Sequence, residues 1–215
     1  MEGARKENNH YDSRGFEVEI MNPRADCKVV WLIRGAPGVG KSAVGRRLKR
    51  RLSSCAVIEV DTLRSMRADI NWTDVSSHRL GLQQAADLAC SFISEGLEPI
   101  IIIDTLLGET FDFLARILGS APFIVTLIAD DKILLRRARG RSSGYQDERV
   151  ILEMNRWFRF HQDPNNCVID TTVLTADEVT ARILELGLTG SANVVSQSSS
   201  TANEKVGVDT ESSFL

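Results

Sequence analysis

No run of apolar residues in this chain approaches the ~20 that a membrane-spanning helix needs, and the opening stretch from Met1 to Asn9 has no apolar core of the kind a signal peptide requires. A cytoplasmic protein with no membrane partner is the expectation. Cysteine is scarce: four residues at positions 27, 55, 90 and 167, far apart and without a C-x-x-C pair. That excludes a disulfide framework or a cysteine zinc site as an organising feature and reads as buried, reduced thiols. His78 and His161 lack a metal-ligand partner at useful spacing. Basic charge is not in excess either. Lys and Arg number 26 against 29 Asp and Glu, a formal net charge of −3, which argues against a protein that coats nucleic acid. No internal repeat is present, and 215 residues suit one domain with tails.

What is present begins at Gly35. The run Gly35-Ala36-Pro37-Gly38-Val39-Gly40-Lys41-Ser42 fits G-x-x-x-x-G-K-[ST], the phosphate-binding loop. Glycines let the backbone turn so that its N–H groups face an anion. Those amides, extended by Ala43, would cradle the α- and β-phosphates of ATP. Lys41 would reach the β- and γ-phosphates, and the Ser42 hydroxyl would ligate Mg²⁺. The context is right. Residues 28–34 read as a buried parallel strand, and Val44, Leu48 and Leu52 mark the apolar stripe of a helix that follows. Strand, loop and helix come in the required order.

Further strands are expected at 55–60, 99–104, 123–128 and 167–170. Between them the spacing predicts a short helix after 60 and helices near 74–95, 109–118, 131–138, 146–161 and 176–186. The 74–95 helix would bury Leu82, Ala85, Leu88, Ala89, Phe92 and Ile93. Thr175 would cap the last helix and Gly187 would stop it. Trp31 and Trp157 read as core, and Arg46, Arg47, Lys49, Arg50 and Arg51 as a solvated face. Residues 1–26 form an irregular extension in which 16–20 could add an edge strand. Residues 189–215 read as a disordered tail. Five strands alternating with helices imply a parallel α/β sheet, whose ligands bind beyond the carboxyl ends of the strands.

The residues at those ends carry the chemistry. Asp61 follows the second strand and would accept a proton from a substrate hydroxyl as it attacks the γ-phosphate; the other reading is a helix N-cap. Arg64, one turn on, would hold substrate or the γ-phosphate, or form an ion pair with Asp61. Asp104 ends the third strand where a carboxylate holds Mg²⁺, or else serves as a turn residue. Thr105 follows it, where motor ATPases place a Glu, so rapid hydrolysis is not expected. Arginines 136, 137, 139 and 141 sit in a segment followed by Ser142-Ser143-Gly144-Tyr145. This suits a lid closing on the transferring phosphoryl group, with Arg139 and Arg141 its catalytic arginines; a solvated helix end is the plainer alternative. No Asn-Lys-x-Asp guanine motif occurs, and Ala43 stands where the third glycine of a dinucleotide loop would fall.

Together, the loop from Gly35 to Ser42, Asp61, Asp104 and the arginine segment resemble the small P-loop kinases, among them nucleoside monophosphate, shikimate and gluconate kinases. The stretch from Ile58 to Met66 is most similar to chloramphenicol phosphotransferase and its kinase-like relatives. The resemblance covers residues 28–187. It implies a three-layer fold over 27–188 with a five-stranded sheet in the order 2-3-1-4-5 and a small arginine-rich lid. It also implies Asp61 as the base. Polynucleotide kinases and zeta-type toxin kinases likewise carry Asp-x-x-Arg after the second strand, which Asp61 and Arg64 fit. The expected activity is transfer of the γ-phosphate of ATP, with Mg²⁺, to a hydroxyl of a small molecule. Trp72, His78 and Leu106 are expected to line the acceptor pocket. A toxin-type or polynucleotide-type kinase, or a nucleotide-binding regulatory module, stands as the alternative. Oligomeric state is not legible.

Overall fold

The computed structural model describes residues 10–11, 17–18, 30–119, 122–139, 147–162 and 166–188. The first elements are two short strands, β1 (His10–Tyr11) and β2 (Glu17–Val18). They pair antiparallel in a sheet of their own, so the expected edge strand does not extend the main sheet. There follow β3 (Val30–Gly35), α1 (Lys41–Arg51), β4 (Ala56–Glu59), α2 (Val60–Ser65) and α3 (Val75–Ser94). The remainder is β5 (Ile100–Asp104), α4 (Gly108–Leu118), β6 (Phe123–Ile128), α5 (Asp131–Ala138), α6 (Glu148–Phe160), β7 (Cys167–Asp170) and α7 (Ala176–Leu188).

The five main strands are all parallel and lie in the order β4-β5-β3-β6-β7. Counted from β3, that is 2-3-1-4-5, as the resemblance implies. Every residue of β3 and β5 is buried, including the isoleucine run from 100 to 103. Strands covered on both faces have no polar side to alternate with. Successive residues of β3 feed two cores. Trp31 and Ile33 meet Val44 and Leu48 of α1 and Val179 and Ile183 of α7. Val30 and Leu32 meet Leu82, Ala85 and Ala89 of α3 and Leu114 of α4. Arg34 continues the strand and is also buried. Its Nε donates to Thr126 Oγ1 at 2.9 Å, and its guanidinium lies 4.7 Å from the Phe111 ring centroid, tying β3 to β6 and α4.

Several local expectations are corrected. The second strand ends at Glu59, and Val60 already belongs to α2, so Asp61 is the second residue of a helix. Leu88 is 37% exposed, outside the buried stripe of α3, while Ala86 is inside it. Thr175 does cap α7. Its hydroxyl accepts from Glu178 N at 3.3 Å, and Glu178 Oε2 accepts from Thr175 N at 2.7 Å, a reciprocal capping box. Gly187 does not stop that helix. It lies within it, and a Cβ there would stand 2.5 Å from the Trp31 ring, so glycine provides clearance for the tryptophan. Cys55, Cys90 and Cys167 are free, as expected, but Cys90 is exposed rather than buried. Burial raises the thiol pKa of Cys55 and Cys167. Cys27, the 189–215 tail and Arg141 lie outside the described residues.

Candidate active site

The loop between β3 and α1 turns through Gly38 and Gly40, whose φ angles of 94° and 104° a side chain would strain. Gly40 is the N-cap of α1, and the helix begins at Lys41. Lys41 Nζ is drawn back onto the loop. It donates to Gly35 O at 2.6 Å, Ala36 O at 3.1 Å and Thr105 Oγ1 at 3.2 Å. Thr105 itself donates to Gly35 O at 3.1 Å, so the residue after Asp104 is stitched to the start of the loop. Ser42 Oγ donates to Glu59 Oε2 at 2.7 Å.

Lys41, Ser42 and Glu59 open on one cavity of about 610 Å³. Gly38 to Ala43, Glu59, Asp61 and Asp104 form one part of its wall. Arg137, Thr171, Leu174 and Val179 form another. Parallel topology explains the convergence: β3, β4 and β5 all end toward this cleft. Asp104, in register with Arg34 of β3, is 4% exposed, and His78 Nε2 lies 2.5 Å from its Oδ2. Thr171 joins the two parts. Its Oγ1 lies 3.1 Å from both Val39 O and Ile128 O, and Arg137 donates to its Oγ1 at 3.2 Å and its carbonyl at 3.1 Å.

Among the described residues, no three of His, Cys, Asp and Glu converge as a metal cage. The oxygens of Ser42, Glu59 and Asp104 on one cavity nonetheless match what Mg²⁺ takes. It is commonly held by one or two carboxylates with waters and substrate phosphates, rather than by an all-protein cage.

Two expected site residues stand elsewhere. Arg64 is 3% exposed and does not border the cavity. It donates to the carbonyls of Asn71 and Trp72 at 3.1 and 3.2 Å, and its guanidinium lies 4.9 Å from the Trp72 ring centroid. Arg139 caps α5 and points to Glu148 at 2.6 and 3.2 Å, spanning the ends of α5 and α6. Its hydrogen bond holds the Glu148 carboxyl below the usual range. Arg141 is not described. Of the residues expected to line an acceptor pocket, Leu106 is fully buried in the core, the Trp72 ring packs on the Arg64 guanidinium and the His78 ring contacts Asp104; none borders this cavity. Conversely, the places of Glu59, Arg137 and Thr171 on the cavity and the contact of His78 with Asp104 are findings of the structure. Glu59 had a readable signal, since it ends a strand two residues before Asp61. Arg137 lay in a run already singled out, but only the helix register tells it from Arg139.

A family model described as "AAA domain" matches residues 32–158, more than half of the chain. No curated protein matches at a significant level. Among solved structures, the tunicamycin resistance protein of Deinococcus radiodurans superposes with a TM-score of 0.56 at 22% identity, over 73% of this chain and 93% of that one. A gluconokinase from Sinorhizobium meliloti 1021 gives 0.51 at 20% identity, over 76% and 93%. Shikimate kinase from Bacteroides thetaiotaomicron gives 0.51 at 15% identity, over 74% and 97%. At these identities the likeness is one of fold. The chain belongs to the AAA-domain family of P-loop proteins, and its fold is that of the small P-loop kinases.

Proposed function

We propose that this protein is an ATP-dependent phosphotransferase that passes the γ-phosphate to a hydroxyl of a small molecule. The observation that carries the reading is the shared cavity: the phosphate-loop residues Lys41 and Ser42 and the carboxylates Glu59, Asp61 and Asp104 line one cleft. Asp61 lines that cavity in addition to the carboxylates that would serve the metal, and is the group assigned to take the acceptor's proton.

The nucleotide phosphates lie on the loop amides and the N-terminus of α1, where N–H groups and helix dipole favour negative charge. Lys41 Nζ exchanges its carbonyl partners for the β- and γ-phosphate oxygens. Ser42, Glu59 and Asp104 would hold Mg²⁺, which would neutralise charge on the phosphates. Asp61 accepts the acceptor's hydroxyl proton while that oxygen bonds to the γ-phosphorus and the bond to the β,γ-bridging oxygen breaks. ADP leaves with the bridging oxygen's electron pair. Arg137, already on the cavity wall, contributes positive charge to the nucleotide side. Arg139 would join only by releasing Glu148, and Arg141 would act from the segment between α5 and α6. Catalysis is thus positioning and electrostatic stabilisation, with no covalent enzyme intermediate.

Incubation with γ-labelled ATP and a pooled metabolite set, read by mass spectrometry, tests this. A phosphorylated alcohol is expected, and its formation should slow about a hundredfold with Asp61→Asn. Nucleotide binding with no acceptor phosphorylated across a broad pool would turn the reading toward a nucleotide-binding regulatory module.

A further inference from the structure

His78 is left unused by that mechanism. It stands near the start of α3, with its ring nitrogen on Asp104, yet it forms no part of the cavity wall that Asp104 lines. Its side chain is 15% exposed and that of Asp104 3%. A carboxylate oxygen accepts, so the ring nitrogen facing it is the donor, and Nε2 carries the hydrogen.

The surrounding structure fixes the start of the helix that carries His78. The Asp74 side chain caps α3, accepting from Ser76 N and Ser77 N at 3.1 Å, and His78 N donates to Asp74 O at 3.0 Å. Arg64 grips the two carbonyls, Asn71 and Trp72, that lead the chain into that cap. Gly81, one turn past His78, faces Arg64 so closely that a Cβ would stand 2.7 Å from Arg64 Cγ. Lacking a side chain, it lets α3 settle onto α2. The arginine expected to bind substrate thus braces the helix that carries His78.

We propose that His78 is a positioning residue for Asp104: its Nε2–H holds one carboxylate oxygen, so that the other is presented to the magnesium–nucleotide in a single orientation. This rests on the phosphotransfer reading above. Partners that orient a ligand without touching the metal typically contribute 10–100-fold to metal affinity, and a carboxylate on two rotatable bonds has orientation to lose.

Mn²⁺ binding in the presence of ADP, followed by electron paramagnetic resonance, tests it on wild type, His78→Ala, His78→Gln and His78→Asn. Mn²⁺ affinity should fall roughly tenfold in His78→Ala, while ADP affinity without metal is unchanged. His78→Gln, whose amide N–H reaches about as far as Nε2, should recover most of the loss, and the shorter His78→Asn should not. If His78→Ala does not fold, the Gln–Asn pair carries the test. Binding within twofold of wild type in the Ala or Asn variant, or Gln no better than Asn, overturns the assignment. Wild type that binds ADP but no Mn²⁺ beside it overturns the phosphotransfer reading as well. Wild type that binds Mn²⁺ with indifferent variants overturns the role of His78 alone.

Discussion

The two sides of the cleft are built differently. On the phosphate side, one contiguous stretch from Gly35 to Ser42 makes the cradle, and its reactive side chain closes back on its own loop, Lys41 onto Gly35 and Ala36. The carboxylates are assembled differently: Asp61 and Asp104 come from α2 and β5, and His78 of α3 reaches Asp104 from outside the cavity wall, so the three depend on how those elements are packed together. A backbone device is local and survives sequence drift around it. A side-chain device depends on braces such as Arg64, which does its work without bordering the cavity.

Removing the central cation should hurt most. Lys41→Ala is expected to lower kcat by roughly a thousandfold, comparable to losing a preorganised oxyanion donor, with little change in melting temperature. Steady-state kinetics beside thermal denaturation check this, and near-normal transfer would dissolve the phosphate-side assignment. Asp61→Asn should reduce transfer about a hundredfold, the lower range for general-base catalysis. Nucleotide affinity by titration calorimetry should stay within about twofold, because the loop amides are untouched.

Arg64→Ala separates a brace from a ligand. It removes a buried stack and two charge-assisted bonds, and should cost about 2–3 kcal/mol of stability by denaturant unfolding. If Arg64 instead bound substrate directly, stability would hold and only acceptor KM would rise. Arg137→Ala belongs to the nucleotide side and should raise the ATP KM about tenfold, the equivalent of one charge-assisted bond. Acceptor KM is expected to move little, and the reverse pattern would put Arg137 on the other side of the cleft.

The smallest effect concerns the helix that begins with Lys41. Arg47 and Arg51 of α1 bridge to Asp177 of α7 at 3.0 and 3.2 Å on the surface. The hydrogen bond from Arg47, then the nearby arginine charges, lower the Asp177 pKa. A pKa lower in the folded than in the unfolded chain means stabilisation above the unfolded value, lost as pH falls through the folded one. Wild type should therefore lose slightly more melting temperature than Asp177→Asn on acidification below the ordinary carboxylate range. Parallel acid profiles would show the bridge to be inert, as many surface pairs are.

Much of the architecture was legible because its determinants are local. The isoleucine run, the Gly35–Ser42 loop and the Thr175–Glu178 cap each state their structure within a few residues. Misreadings came where burial or register decided. Leu88 fits the apolar pattern of α3 yet faces solvent, and Gly187 looks like a helix stop until Trp31 is seen against it. Arg139, the cap of α5, and Arg137 in its last turn are two residues apart, so one reaches Glu148 and the other Thr171.

By itself the sequence determined a strand–loop–helix of the phosphate-loop pattern, a parallel α/β sheet around it, and acidic residues at or just past the strand ends. Hydrophobic periodicity and backbone geometry are properties of short segments, so a linear reading recovers them. Only the tertiary structure decided that Glu59 holds Ser42, that His78 stands behind Asp104, and that Arg64 is a brace. Those are contacts between side chains on separate elements, and their partners are set by how the helices pack on the sheet.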